Sequence, residues 1–247
     1  MHYTASALAF SLAGFPKPVA LVGSQRSSDR PSSDAALNLI AATKFLIETH
    51  SPGIFVVMHN NSSDDEIACN WATRVRKNHT SRRDAFKTIG GAPAYIVKGN
   101  NIEKNKLFNI TKRDYTPKIK FDTRVLLLKY YPGLDPEIMN YAIKSGYRGV
   151  IIEGTGLGHV GKTMYSVIEK AKKNGLFIGM TSQCIDGTVS MTVYDSGRDL
   201  LNLGVVPLGN MIPETALVKT MWALANSKDS DEVTKMMKEN IALEFSD

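Results

Sequence analysis

Residues 71–86 read Trp-Ala-Thr-Arg-Val-Arg-Lys-Asn-His-Thr-Ser-Arg-Arg-Asp-Ala-Phe. Lys77 is the one lysine of that stretch, set among Arg74, Arg76, Arg82 and Arg83 against a single anion, Asp84. An ammonium crowded by guanidinium groups is pushed toward its neutral form, because one positive charge disfavours another nearby. A neutral amine is a base or a nucleophile, and a guanidinium is neither at any workable pH. Lys77 is therefore the catalytic candidate, with the arginines as its setting. Two plainer readings compete. One is a solvated basic loop. The other is an RNA-binding patch with its arginines on phosphates, which would show a steep salt dependence. His79 lies close to Lys77 in sequence and is a weaker candidate for the same site.

A second stretch has the spacing of a phosphate cradle. Residues 156–163, Gly-Leu-Gly-His-Val-Gly-Lys-Thr, match the P-loop pattern and contain Gly-x-Gly-x-x-Gly. They follow a strand signal and open a helix signal, so backbone amides, Lys162 and Thr163 could serve a nucleotide and magnesium. No later strand ends in a clear magnesium-holding aspartate, and the plainer reading is a glycine-rich strand-to-helix turn. Cys69 and Cys184 have no zinc or redox spacing and read as small apolar residues, with Cys184 the alternative reactive thiol. The histidines show no metal spacing, and Asp64, Asp65 and Glu66 read as a solvated acidic run.

The elements that would position these residues alternate strand and helix. Residues 3–12 carry Ala5, Leu8, Ala9 and Leu12 at helical spacing, and residues 18–22 form an apolar strand. A polar loop at 23–32 leads to a helix capped by Ser33 and running to about Glu48. Its inner side is expected to be Ala36, Leu37, Ile40, Ala41, Phe45 and Leu46. Residues 54–58 form a buried strand, and 59–110 are irregular, with short strands near 66–70 and 94–97. Strands then follow at 125–129, 149–153 and 177–180, with helices at 135–145, 162–174, 196–203, 213–225 and 231–240. The charged stretch 109–121 contains Pro117 and reads as a linker, taken at 113–122 between one unit at 1–112, expected to be an incomplete part of a larger domain, and a second at 123–247. The class is α/β, two parallel-sheet domains with ligands at the carboxyl ends of strands. At 247 residues and a net charge of +6 the chain is globular and hints at an anionic partner. The few cysteines, the lack of a signal-peptide pattern and the lack of a membrane-length apolar run point to the cytoplasm.

Several segments together resemble the asparaginase/glutaminase family with a threonine nucleophile. They are residues 1–5, the Val-Gly-Ser-Gln-Arg-Ser-Ser-Asp-Arg-Pro of 22–31, 73–86, the Tyr-Pro-Gly-Leu-Asp-Pro of 131–136, 153–158, the Thr-Ser-Gln-Cys of 181–184 and the Pro-Glu-Thr-Ala of 213–216. The resemblance runs from Met1 to about Asn226. Thr-Arg-Val-Arg-Lys followed by Thr-Ser-Arg-Arg-Asp-Ala-Phe is most like the branch that supplies ammonia within archaeal glutamyl-tRNA(Gln) amidotransferases.

That resemblance implies a mechanism. A first threonine attacks the side-chain amide of glutamine or asparagine, and a second threonine, an aspartate and a lysine handle protons, since a free hydroxyl is a weak nucleophile. Lys77 matches the family's lysine, and Ser24 matches the loop residue beside the substrate amide, although serine also fills turns for its own reasons. The resemblance further implies no cofactor in this subunit. ATP and magnesium are used by a tRNA-binding partner subunit, and the subunit is a homodimer within a heterotetramer. The family's glycine-rich strand with its threonine, and its Gly-Thr-Asp-Thr segment, are not among these residues. The expectation is thus an N-terminally truncated form, inactive alone. A free-standing cytosolic asparaginase, and a catalytically dead interaction protein or nucleotide binder, are the alternatives.

Overall fold

The computed structural model describes residues 1–110 and 112–245, in two compact units, Met1–Lys118 and Ile119–Asp247. Thr111, inside the charged stretch expected to link them, lies outside the described residues.

The first unit opens with α1 (His2–Ser11), then β1 (Pro18–Val22), α2 (Ala35–Thr49) and β2 (Gly53–His59). Short strands follow: β3 (Ile67–Trp71), β4 (Val75–Lys77), β5 (Phe86–Thr88), β6 (Tyr95–Lys98) and β7 (Asn101–Lys104). The main sheet has the order β1-β2-β3-β6-β7, and β4 and β5 form a separate hairpin. Only β1 and β2 run parallel; β2-β3, β3-β6 and β6-β7 are antiparallel, so this unit's sheet is mixed where alternation alone predicts parallel pairing throughout. The causes are local: the connections β2-β3 and β6-β7 are too short for a crossover helix, and the longer one from β3 to β6 is taken up by the β4-β5 hairpin.

Aromatic rings fill the core. Phe55 stacks edge-on against Phe45 at 4.8 Å and Trp71 at 5.1 Å, and Phe108 lies 5.0 Å from Trp71. Gly53 sits at φ +122°, and a Cβ there would lie 2.4 Å from the Trp71 ring, so β2 can start under the indole only with glycine. On α2 the buried residues are Asn38, Ala41, Ala42 and Phe45. Ala36 and Ile40, expected inside, are exposed, because the inner position is taken by the amide of Asn38. Ser33 stands one residue further out than expected: the N-cap position is Asp34, whose carboxylate turns back to the loop, while the Ser33 hydroxyl accepts from the amide of Ala35 at 3.2 Å.

The second unit comprises β8 (Val125–Lys129), α3 (Glu137–Lys144), β9 (Gly149–Gly154), a 3-10 turn (Lys162–Met164) running into α4 (Tyr165–Lys173), β10 (Phe177–Ser182), α5 (Asp195–Asn202), β11 (Val206–Pro207), α6 (Pro213–Asn226) and α7 (Ser230–Lys238). The sheet order is β11-β10-β9-β8, all parallel. Val150 and Ile152 of β9 pack with Met139, Ile168 and Leu200 from α3, α4 and α5. Ile151 between them is buried on the opposite face, which α6 covers. Pro213 starts α6 where a missing N–H costs nothing. Asp229 caps α7 by accepting from the amides of Asp231 and Glu232.

Two polar clusters hold this unit. Lys219 of α6 is fully buried: its Nζ donates to Met237 O at 3.2 Å and Glu239 O at 2.5 Å and pairs with the equally buried Glu244. Glu244 also accepts from the amides of Ile241 and Ala242, at 3.0 and 2.6 Å. At the edge, Asp122 accepts from Arg124 Nη2 at 2.7 Å and Arg148 Nη1 at 3.1 Å. The hydrogen bond from Arg124 outweighs burial and holds this carboxyl well below the ordinary aspartate value of 3.8. A depressed native pKa stabilises the fold above the unfolded value, and that contribution is lost as pH falls through the lower, native one. The second unit is accordingly expected to lose stability progressively once pH drops below 3.8. Asp122→Asn should flatten that acid slope, as read from denaturant midpoints at a series of acidic pH values.

Candidate active site

Lys77 is the last residue of β4, paired with Phe86 in the β4-β5 hairpin. Its side chain is exposed, and its ammonium lies 5.8 Å from the centre of the Phe86 ring. Among the described residues that ammonium makes no hydrogen bond or ion pair, so it is open to an incoming group. The arginines do other work than crowding it. Arg74 is buried and donates twice to Ile89 O, from Nε at 3.1 Å and Nη2 at 2.8 Å, which ties the start of β4 to the end of β5. Arg82 forms a two-point bond with Asp84, 2.8 and 2.5 Å. That bond outweighs burial and, with Lys87 alongside, holds the Asp84 carboxyl far below the usual carboxylate range. Arg83 pairs with Asp64 and donates to Ser32 O at 2.7 Å. Arg74, Arg82 and Arg83, expected as part of the setting of Lys77, thus also pin the hairpin, each with its own acceptor. His79 is an exposed turn residue: its Nδ1 accepts from the amides of Ser81 and Arg82 at 3.1 and 3.0 Å.

Ser24 stands exposed just past the carboxyl end of β1. Its neighbours are fixed. Asn38 Nδ2 donates to Gly23 O at 2.9 Å, and the amides of Gln25 and Arg26 donate to the Asp34 carboxylate at 2.9–3.0 Å. Burial works to raise the Asp34 pKa, but the amides of Arg26 and Gln25 and the Asn38 side chain outweigh it and lower it. Through Arg83 and Ser32 the Lys77 hairpin is bonded to the loop that carries Ser24. Both candidates therefore stand on segments that leave the carboxyl ends of the parallel pair β1 and β2 or are tied to them, where open α/β sheets place ligands.

Asp34, Asn38 and His59 do not stand out in the sequence as residues that support a site. A buried polar cluster leaves no period, and the only signal is a polar residue on the apolar side of a helix. Asp64, read as solvated, is an ion-pair partner. Cys184 is exposed, contrary to its apolar reading, and Cys69 is buried with its thiol pKa pushed up by desolvation. In the P-loop match the amides of Gly158 and His159 both donate to Thr155 O at 3.0 Å, and Thr155 and His159 close a bridge, so these two amides are spent within the turn. Among the described residues no group of three or more His, Cys, Asp or Glu is arranged to hold a metal, and no helix is long and apolar enough to cross a membrane.

Two family models match the chain: "Asparaginase, N-terminal" over residues 1–108 and "Glutaminase/Asparaginase C-terminal domain" over residues 124–237. A glutamyl-tRNA(Gln) amidotransferase subunit from Metallosphaera sedula is 48% identical over 252 residues, 99% of this chain and 56% of that protein. The subunit of the same name from Thermococcus kodakarensis is 46% identical over 248 residues, again 99% of this chain and 56% of its own length. The chain therefore spans little more than half of these relatives. Among solved structures, the thermostable L-asparaginase from Thermococcus kodakarensis superimposes with a TM-score of 0.89 at 33% identity, over 100% of this chain and 73% of that one. L-asparaginase I from Vibrio cholerae shares the fold at a TM-score of 0.83 and 24% identity, over 100% of this chain and 73% of that one.

Proposed function

The chain belongs to the glutaminase/asparaginase family, and from that premise we propose that it is part of the ammonia-supplying subunit of an amidotransferase that converts Glu-tRNA(Gln) to Gln-tRNA(Gln). The observation that carries this reading is the 46–48% identity, over nearly the whole chain, to proteins named as one particular subunit of glutamyl-tRNA(Gln) amidotransferase. Lys77 acts as the proton-handling amine, and Ser24 contacts the substrate amide. The site requires an activated hydroxyl to attack the amide of glutamine or asparagine. On this reading the threonines and aspartate that the family uses for this belong to a part of the subunit other than these 247 residues. A tRNA-binding partner subunit activates the glutamyl group with ATP and magnesium and takes up the ammonia, with this subunit as a homodimer inside a heterotetramer, in the cytoplasm.

Two measurements test the reading. The full-length subunit that contains these residues, assembled with its partner, should release ammonia from glutamine, and ammonium salts should replace glutamine in the conversion of Glu-tRNA(Gln). The 247 residues expressed alone should release none above a buffer control, because catalytic groups that act as a unit fail together. The likeness to a thermostable L-asparaginase favours a second reading, a free-standing asparaginase. Partner-independent asparagine hydrolysis, with no effect on tRNA charging, would select it.

A further inference from the structure

We propose that His59 is a positioning residue for this site, the buried hub through which the loop carrying Ser24 and the hairpin carrying Lys77 are held in one register. The inference rests on the amide-hydrolysing reading above for its catalytic meaning.

His59 ends β2 and is fully buried, as are Asp34 and Asn38 beside it. The orientation of the Asn38 amide is fixed, because its Nδ2 donates to Asp34 Oδ2 at 3.0 Å and Gly23 O at 2.9 Å. Its Oδ1 therefore faces His59 Nδ1, 2.7 Å away, and Nδ1 is the donor. On the other side of the ring, Nε2 lies 3.3 Å from Asp64 Oδ1. Asp64 pairs with Arg83, and Arg83 donates to Ser32 O. The next residue, Asn60, accepts at its carbonyl from Lys87 of β5, and Lys87 stands opposite Arg76 in the hairpin register.

The contacts close a ring, in which the His59–Asp64 link is a hydrogen bond only where Nε2 carries a proton as well as Nδ1. From the Ser24 loop they run through Asp34, Asn38, His59 and Asp64 to Arg83 and back to the loop at Ser32. Burying three polar side chains is costly unless every group is satisfied, and apolar residues of like size would fill the same space at less cost. What the polar hub adds is direction: a hydrogen-bonded network fixes one arrangement where apolar packing tolerates several. His59 touches neither Ser24 nor Lys77 and acts on them through Asp34 and Asp64.

The test uses the full-length subunit that contains these residues, assembled with its partner. His59→Leu is expected to lower kcat for ammonia release by about tenfold or more with KM moved less than about threefold, since misplaced groups cost rate. His59→Gln, whose amide can donate again to Asn38, should recover a large part of that loss. Amide hydrogen exchange should quicken by about fivefold at Gln25 and Arg26 in the loop and at Asn78 and Ala85 in the hairpin together. Asp64→Ala, at an exposed side chain, should reproduce the joint change without altering the melting temperature. Wild-type kcat in His59→Leu, or quickened exchange in the hairpin alone, would overturn the proposal. If the unsubstituted protein releases no ammonia, the amide reading fails, and exchange still decides whether loop and hairpin are coupled.

Discussion

Lys77→Met, in the full-length subunit assembled with its partner, is expected to abolish ammonia release from glutamine, a loss on the order of 10³-fold or more, as when a proton-handling group is removed from a set that acts as a unit. The fold should not notice. Lys77 is exposed, and among the described residues its side chain makes no hydrogen bond or ion pair, so the melting temperature should stay where it was. Lys77→Arg should fail as well, because a guanidinium keeps its proton and cannot serve as a base. Together the two variants separate charge from chemistry: the arginine variant keeps the positive charge and any phosphate attraction. Retained activity in Lys77→Arg would remove the amine from the mechanism. A salt-sensitive RNA affinity that follows charge alone would point to the basic-patch reading instead.

The largest stability effect should come from Lys219→Met. The change leaves Glu244 buried without its ammonium and takes the donor from Met237 O and Glu239 O. Breaking one side of a buried ion pair costs about 3–5 kcal/mol, because the remaining charge has no solvent to turn to. For a unit of this size that lowers the melting temperature by roughly 10 °C or more. The paired change Lys219→Met with Glu244→Leu should recover part of the loss, since two apolar side chains need no desolvation, while the two carbonyls still lack their donor. The unfolding midpoint of the second unit, followed by denaturant titration, reads both. A loss under about 1 kcal/mol for the single change would mean that Glu244 reaches water in the native state.

What the chain's letters disclose follows from how each element is held. Residues 18–22 and 125–129 are continuous apolar runs ending in turns, and both strands fall at those residues. The β4-β5 hairpin is not legible, because strands of three residues have no period, and this one depends on Arg74 reaching Ile89 O across the turn. The face of α2 is misjudged for a related reason. A pattern reading sends asparagine outward and isoleucine inward, whereas Asn38 is drawn in by Asp34 and His59, and Ile40 is left outside. Lys219 escapes notice because lysine reads as surface, and only a folded chain can place Glu244 against it. Resemblance points to Lys77 and Ser24 as site candidates. It does not reach the hub beneath them, whose members are scattered from residue 34 to residue 83 and meet only in three dimensions.

The two cysteines give this protein a built-in pair of clocks. Cys184 is exposed and Cys69 is buried, and desolvation keeps the Cys69 thiol from its reactive thiolate form. A maleimide dye offered to the native chain therefore tags Cys184 at once, one label per chain, in the second unit. A second label arrives only when the first unit opens, so its rate counts openings of the unit that holds Lys77 and Ser24. The stability of the proposed active-site half can thus be timed in the presence of any partner, tRNA or amide, with no engineered probe.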